Sequence, residues 1–186
     1  MTAVDHGPLG ERSEYPRHYD PSVLHPIPRE PGRKAIGLAS PLPFDGVDIW
    51  NAYEVSWLDL QGKPVVAVLE LRIPCSSEFI VESKSLKLYL GSFNGARHAS
   101  LAEVEAIIAA DLNRLTHSNV TAVLESLQQA NGQRFALKTA PGICIDDVPL
   151  SEPVFAVNPN LLRMAEGDVR EEILHSHLLR SNCPVT

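Results

Sequence analysis

The stretch from Glu82 to Asn94 carries the side chains with the most evident chemistry. It reads ESKSLKLYLGSFN, so one carboxylate, two hydroxyls and two ammonium groups fall within six residues, ahead of an apolar run. If a helix begins near Ser83, its first turn offers free backbone N–H groups and the positive end of the helix dipole, which suit an anion or a polar ligand. An ordinary amphipathic helix with a solvated first turn fits the same spacing, and the residues alone favour that interpretation.

A second candidate is the thiol of Cys183, in the segment SNCPVT at the end of the sequence. A thiolate can add to an electrophilic carbon, provided that a nearby base or dipole lowers the pKa of the thiol. A lone cysteine is more often an inert buried residue. The other two cysteines, Cys75 and Cys144, are scattered without a CxxC pair, so reduced thiols that behave as small hydrophobic residues are expected.

Both segments resemble one known family. ESKSLKLYLGSFN is similar to the signature of the 7-cyano-7-deazaguanine reductases, NADPH-dependent nitrile reductases of queuosine biosynthesis, and SNCPVT resembles the segment with their nucleophilic cysteine. Further stretches fit the long, two-module form of these enzymes: YDP from residue 19, LPFDG from 42, DIWNAYE from 48, SWL from 56 and CIDD from 144. The resemblance therefore covers most of the chain from about Tyr19 onward.

The resemblance implies reduction of the nitrile of 7-cyano-7-deazaguanine to the primary amine, with NADPH as cofactor and a thioimide on Cys183. It assigns substrate contacts to Val81, Glu82 and Ser83, and cofactor contacts to Ser83 and Lys84. The Glu82 carboxylate could accept both the ring N–H and the amino group of a deazaguanine. The alternatives are a helix-start glutamate that pairs with the dipole and a lysine on a solvated helix face.

Three further features of the sequence carry less weight. No GxGxxG follows a predicted strand, so NADPH binding rests on the resemblance alone. Lys87 could share a helix face with Lys84, although a solvated position is favoured for it. His175 and His177 would point the same way from a strand, but no third ligand stands at suitable spacing, and no metal site is predicted.

Some features of the family pattern are missing from the sequence. The proton-donating aspartate that follows the cysteine, a later His-Glu pair of the substrate pocket and C-terminal arginines that contact the cofactor have no counterpart here. We therefore expect an incomplete reductase that is inactive alone. The alternative function is a non-catalytic tunnelling-fold module that binds a purine- or pterin-like base or serves assembly.

The elements that must position these residues follow from periodicity. Two β-rich segments, 48–60 and 65–73, flank the turn QGKP and predict a hairpin. A helix follows from about Ser83, and a capping box at Ser100 and Glu103 begins a second helix. Segments 120–127 and 133–138 predict two more strands. This order predicts an α+β fold, an antiparallel sheet with two helices packed on one face, which agrees with the tunnelling fold that the resemblance implies.

The predicted domain organisation has four parts. Prolines crowd residues 1–40, which we interpret as an extended arm. Residues 41–140 form the first tunnelling-fold module and 141–168 a linker. Residues 169–180 fit a helix or a strand, and the resemblance favours a strand that starts an incomplete second module, 169–186.

The charge and the apolar content of the sequence limit the kinds of partner that the protein is expected to bind. The 186 residues include 16 basic and 23 acidic side chains, a net charge of −7, which argues against attraction to nucleic acid or anionic lipid. No apolar run approaches the roughly 20 residues of a membrane-spanning helix, and no signal peptide is evident. We expect a cytoplasmic protein that binds a small 7-deazaguanine, contacts neither nucleic acid nor membrane, and forms a homo-oligomer by analogy with other tunnelling folds.

Overall fold

The computed structural model describes residues 12, 14–127, 139–149, 158–161, 163–164 and 166–178. The chain divides into two compact units, residues 1–135 and 136–186. Within the described ranges, none of the helices combines the length and the apolar character needed to cross a bilayer. The elements are β1 (Pro26–Pro28), α1 (Glu30–Ala35), β2 (Val47–Leu58), β3 (Pro64–Pro74), β4 (Phe79–Val81), α2 (Ser83–Gly91), α3 (Leu101–Thr116), β5 (Thr121–Ser126), β6 (Ile143–Cys144) and β7 (Leu174–His175), with short 3-10 turns at Pro21–Val23, Ser92–Gly95 and Pro159–Leu161.

An antiparallel sheet of order β2-β3-β5 is the framework of the first unit. The turn between β2 and β3 is held by Asp59, whose carboxylate accepts the backbone N–H groups of Gln61 and Lys63 at 2.9 and 2.8 Å. Gly62 in this turn has a φ of +89°, which favours glycine. The predicted hairpin is therefore confirmed, and β5 matches the strand predicted at 120–127. The strand predicted at 133–138 lies outside the described residues.

Both α2 and α3 pack on one face of this sheet. The inward residues of β3 form a single core with the buried side chains of the two helices, and this α+β arrangement confirms the predicted fold class. The core consists of Val55, Trp57, Ala67, Leu69, Leu71, Ile73, Val81, Leu86, Tyr89, Leu90, Phe93, Val104, Ile108, Leu112, Val120, Ala122 and Leu124.

The start of α3 follows the predicted capping box with a shift of one residue. The Ser100 hydroxyl accepts the Glu103 backbone N–H at 3.2 Å, and the Glu103 carboxylate accepts the N–H of Ala99, at 2.8 Å, instead of that of Ser100. The helix ends at His117, whose φ of 52° is left-handed. These contacts satisfy backbone groups that the helix itself leaves open.

The N-terminal arm is more regular than its prolines indicate. Its strand β1 pairs antiparallel with β4, and the flanking bonds run from Glu82 N to His25 O, at 2.9 Å, and from Arg29 N to Glu78 O, at 3.1 Å. Hydrogen-bonded positions alternate along an antiparallel strand, so Pro26 and Pro28 occupy positions whose N–H would point away from β4. The prolines therefore remove no bond of this ladder.

Tyr19 of the arm and Tyr89 of α2 both contact Asp111 of α3. The hydroxyls of Tyr19 and Tyr89 both donate to Asp111 Oδ2, at 2.5 and 2.7 Å. Burial, followed by the adjoining Asp111 carboxylate, raises the pKa of Tyr19 to about 12 and that of Tyr89 further. Tyr19 also packs edge-on against Phe93. The arm is thus attached through a polar contact over the aromatic part of the core.

The described part of the second unit centres on a short parallel pair. Strands β6 and β7 pair through Ile143 with Leu174 and Cys144 with His175. A Cβ on Gly142 would lie 2.0 Å from the Ile173 carbonyl oxygen, so this close approach needs glycine. The strand predicted within 169–180 is present as the two-residue β7, and β6 lies in the segment predicted as a linker.

An acidic residue joins the two strands of this pair beyond their ends. Asp146 accepts the Ser176 hydroxyl at 2.7 Å and the ring Nδ1–H of His177 at 2.8 Å. These bonds, with the Ser176 contribution largest, hold the pKa of Asp146 well below its usual range. The carboxylate is therefore ionised at neutral pH.

Candidate active site

Glu82 caps the N-terminus of α2. Its carboxylate accepts the backbone N–H of Lys84 at 2.7 Å and that of Ser85 at 2.6 Å, and the residue is 1% exposed. Asp, Asn, Ser and Thr are the usual caps because their short side chains reach these groups. Here the longer glutamate folds back onto both, so a buried negative charge meets the positive end of the helix dipole.

Further hydrogen bonds hold the Glu82 side chain and its backbone in place. Ser83 donates its hydroxyl to Oε1 at 3.3 Å, and Ser85 donates its hydroxyl to the Glu82 carbonyl at 2.7 Å. The Ser85 hydroxyl in turn accepts the N–H of His25 from the arm, at 3.0 Å. Two carboxylate oxygens offer about four acceptor positions, and three donors occupy them here. With respect to the residues that the structure describes, one acceptor position therefore remains for a further donor.

A groove lies beside this helix start. It has a volume of about 720 Å³ and runs between α2, the middle of β2 and the arm. Five residues line it from α2: Ser83, Leu86, Lys87, Leu90 and Gly91. The other lining residues are Tyr15, Pro16, Arg17, Trp50, Asn51, Ala52, Tyr53, Glu54, Ser56, Asn94 and Gly95.

An irregularity in β2 shapes the groove wall. The pairing of β2 with β3 shifts between Ala52 and Val55, so one extra residue is inserted at Tyr53 and Glu54. Such bulges re-aim side chains and are frequent beside active sites. Both residues of the bulge, Tyr53 and Glu54, line the groove, and Tyr53 is 66% exposed. The bulge therefore places an aromatic ring and a carboxylate where a regular strand would continue its alternation.

The groove combines rings with charges of both signs. Trp50 and Tyr53 offer faces on which a planar heterocycle could stack, while Arg17 and Lys87 supply cations suited to phosphate groups. Glu54 adds an acceptor for N–H donors. This arrangement can bind a flat, polar base together with an anionic group.

The structure distributes the predicted site residues unevenly. Ser83 lines the groove, whereas Val81 is 2% exposed in the core and Glu82 is buried in the helix cap. Lys84 is half-buried and belongs to the same first turn of α2. Cys183 lies outside the described residues.

Sequence reasoning missed several groove residues. Arg17 lies in the proline-rich arm, which gives no sign that it folds back, and Asn94 follows α2 in a 3-10 turn. Trp50 and Tyr53 stand in a predicted strand, where aromatic residues usually indicate packing. Only the motif DIWNAYE as a whole could have indicated that Trp50 and Tyr53 belong to a site. The alternation of apolar and polar residues along a strand does not show where a bulge turns a side chain.

The residues that line this groove fall within a match to a known protein family. A family model described as "Nitrile reductase, 7-cyano-7-deazaguanine-reductase N-term" matches residues 15–124. This range includes every residue that lines the groove and both capped helices. The match therefore covers the whole candidate site except Cys183.

Curated relatives give longer alignments. The chain is 47% identical over 180 residues to a protein of Desulfotalea psychrophila, covering 96% of this chain and 64% of that protein. It is 44% identical over 184 residues to one of Chromohalobacter salexigens, covering 98% and 65% of the two chains. A protein of Saccharophagus degradans is 46% identical over 179 residues, covering 96% and 65%. All three are named NADPH-dependent 7-cyano-7-deazaguanine reductase, and the chain spans about 65% of their length.

Proposed function

Because the chain belongs to the 7-cyano-7-deazaguanine reductase family, matched by its N-terminal model, we propose that it takes part in reducing the nitrile of 7-cyano-7-deazaguanine with NADPH. The product would be 7-aminomethyl-7-deazaguanine, in tRNA queuosine biosynthesis. The observation that carries the proposal is the groove beside the Glu82 cap, since its lining lies within the family match and suits a flat base.

The proposed chemistry begins at Cys183. Its thiolate adds to the electrophilic nitrile carbon, and the nitrile nitrogen takes up a proton, which leaves a covalent thioimide. NADPH, when bound, would be the hydride donor to carbon, and the conversion of nitrile to amine consumes two hydrides and two protons in all, one of which is the proton taken up with the thiolate addition. Breaking the carbon–sulfur bond after the first hydride returns the thiolate to Cys183. The full conversion is thus a four-electron reduction.

Glu82 is proposed to recognise the base. A deazaguanine presents a ring N–H beside an exocyclic amino group, and the acceptor position that remains on the Glu82 carboxylate could receive a donor from this edge. Ser83 supports this role because its hydroxyl touches Glu82 while the residue lines the groove. Val81, directly before them, is buried in the core and does not line the groove, so its proposed part is to hold Glu82 and Ser83 in place. Substrate entry would then require Ser83 to rotate away from the buried carboxylate.

The cofactor is proposed to bind along the same helix start. Ser83 and Lys84 are the residues assigned to it, with Lys84 as a compact cation for a phosphate group. Arg17 and Lys87 fit the same need, because both line the groove and carry positive charge. The cationic and aromatic lining is chemically suited to a phosphorylated dinucleotide.

A tunnelling fold and a homo-oligomer are also proposed. The antiparallel sheet with two helices on one face suits the first, and the start of β2 suits the second because it exposes apolar side chains opposite the end of β3. These side chains, Val47 and Ile49, are 46% and 50% exposed. We call them the outer patch. Exposed apolar patches of this kind commonly mark contacts between proteins.

Calorimetric titration tests the assignment of the groove. The nitrile base and NADPH are titrated separately into the wild type and into Ser83→Ala, Lys84→Gln and Lys34→Gln variants. We expect Ser83→Ala to weaken both ligands and Lys84→Gln to weaken NADPH by about 10-fold, because a charge-assisted contact is lost. Lys34→Gln is the control, since Lys34 pairs with Glu30 on the exposed face of α1. Unchanged affinities in the first two variants would contradict the proposal.

A further inference from the structure

Three side chains of the second unit converge although they come from separate segments. Cys144, His175 and His177 each offer one ligand atom, and these atoms all lie within 4.8 Å of one another. We propose that they bind a divalent zinc-type cation. This site uses only residues of the second unit, and none of them is assigned to the proposed reductase chemistry.

The backbone register produces the convergence. Cys144 and His175 are directly paired residues of the parallel strands β6 and β7. His177 stands two residues beyond His175, and side chains two residues apart share one face of an extended segment. The rings of the two histidines accordingly lie 5.4 Å apart. Spacing along the chain does not indicate this cluster, because Cys144 is distant from both histidines in sequence.

The hydrogen bonds of both histidines leave the same nitrogen available. Nδ1 of His175 lies 3.2 Å from the Pro141 carbonyl oxygen, and Nδ1 of His177 lies 2.8 Å from Asp146 Oδ2. Both oxygens are acceptors only, so each Nδ1 carries its hydrogen and each neutral ring presents the Nε2 lone pair. Metal-binding histidines show this pattern, in which a carbonyl or carboxylate orients the ring from behind.

The three ligand types, and the exposure of two of the three side chains, suit a zinc ion. A thiolate with two imidazoles is a borderline-soft set of the kind that Zn²⁺ takes in tetrahedral sites. Ligand atoms around one tetrahedral Zn²⁺ lie about 3.6 Å apart for a sulfur–nitrogen pair, given the usual bond lengths. Side-chain adjustment must therefore bring the three ligand atoms closer together than 4.8 Å, and the exposed Cys144 can rotate to do so. Water would fill the fourth position.

The ion would act as a clip between β6 and β7. Two backbone bonds flank this pair, Ile143 N to Ile173 O at 2.9 Å and Ile145 N to His175 O at 3.0 Å. So short a pairing is weak by itself. A cation that binds one residue of β6 and two from the β7 side would hold the segments together, since binding to the folded form alone stabilises it.

Cobalt substitution provides a direct test. The full chain is stripped with a chelator and titrated with Co²⁺, then with Zn²⁺ in competition. We expect one Co²⁺ per chain, visible d–d bands of a tetrahedral site and a thiolate-to-cobalt charge-transfer band, all lost on adding Zn²⁺. Cys144→Ser should remove the charge-transfer band, and His175→Gln or His177→Gln should weaken binding at least 10-fold. Asp146→Asn should weaken it about 10- to 100-fold by releasing the ring of His177.

Matched variants separate this site from the other thiols and histidines. Cys75→Ser, Cys183→Ser and His117→Gln should keep the spectrum and the affinity of the wild type. Far-ultraviolet circular dichroism of each variant establishes that the fold is retained. A charge-transfer band that survives Cys144→Ser but disappears in Cys183→Ser or Cys75→Ser would overturn the proposal. Absence of any tetrahedral cobalt spectrum in the folded wild type would overturn it as well.

Discussion

A glutamate at the head of a helix has one structural task and one proposed chemical task in this protein. Glu82 joins the first turn of α2 through two short bonds, at 2.7 and 2.6 Å, and is almost fully buried. The same burial would strengthen a bond to a base, because a charge-assisted hydrogen bond is stronger away from water. The two tasks make different demands on the side chain, so they can be separated by measuring stability and ligand affinity in one variant.

Glu82→Gln is predicted to lower both quantities. The glutamine amide keeps one acceptor oxygen, but its NH2 group would face a backbone N–H of α2 that now bonds the second carboxylate oxygen. The free energy of unfolding should therefore fall by about 1–3 kcal/mol. Affinity for the nitrile base should fall about 10- to 100-fold if the carboxylate grips the base. Urea denaturation and calorimetry give the two values. Glu78→Gln is the control because Glu78 is exposed beside β4 and pairs with His117.

A loss of stability without a loss of base affinity would leave Glu82 as a cap only. The sequence allowed both interpretations, since the spacing around Glu82 fits a helix start as well as a ligand contact. What it could not provide was the direction of the side chain. That direction depends on Ser85 and on the backbone of His25, which the arm brings to the helix.

The hydroxyl of Tyr19 should make stability depend on pH in the alkaline range. Its pKa rises from an unfolded value of about 10 to about 12 in the fold, so the folded state favours the protonated form. The contribution is complete below about pH 10 and is lost as pH rises from about 10 to about 12. Urea denaturation across this range should show a smaller decline for Tyr19→Phe than for the wild type.

Tyr15→Phe serves as the control for this effect, since Tyr15 lies in the same arm and is 71% exposed. Its profile should follow that of the wild type. Equal slopes for Tyr19→Phe and the wild type would contradict the account of the buried Tyr19–Asp111 bond. At neutral pH, Tyr19→Phe should cost about 1 kcal/mol of stability, the usual net worth of a hydrogen bond.

At the scale of elements, the helices and the hairpin were predictable because their signals are local. The serine cap and apolar spacing of α3, and the turn between β2 and β3, appear in the structure near their predicted bounds. The β1–β4 pairing was not predictable, because it joins the arm to a segment some 50 residues later and its prolines argue against a strand. The bulge at Tyr53 could not be predicted either, because it depends on the register between β2 and β3.

Ser100→Ala tests the cap of α3. The Ser100 hydroxyl accepts the Glu103 N–H, so its removal should lower the free energy of unfolding by about 1 kcal/mol. Ser76→Ala, in the exposed turn after β3, is the matched control and should stay within about 0.5 kcal/mol of the wild type. Chemical denaturation of the three proteins makes the comparison. Equal stabilities for Ser100→Ala and Ser76→Ala would contradict the capping role.

At the scale of the whole molecule, the residues that the family model matches all lie in the first unit, whereas the second unit is described only in part. The predicted sheet and helices account for the first unit, since its core is built from periodic segments. The parallel β6–β7 pair of the second unit was not predicted, because β6 comes from a segment predicted to be a linker. Two-residue strands leave no periodic signal, so only the fold could bring Cys144 beside His175.

Assembly is predicted to bury the outer patch. Light scattering coupled to size exclusion should give a mass above that of one chain for the wild type and a lower mass for Ile49→Lys, because a buried unpaired charge is costly. Leu60→Lys is the control, since Leu60 is 60% exposed in the hairpin turn. A wild type with the mass of one chain, or an Ile49→Lys variant of unchanged mass, would contradict this interface.

The most direct test of the central claim uses the protein extended to the length of its relatives and measures its intact mass after mixing with 7-cyano-7-deazaguanine in the absence of NADPH. Addition of a thiolate to a nitrile releases nothing, so the account predicts a gain equal to the full mass of the base. Peptide mapping should place this gain on Cys183, with Cys183→Ala unmodified and Cys75→Ala modified as the wild type is. A protein that binds the base and yet keeps its original mass would contradict the reductase mechanism and favour a non-catalytic base-binding module.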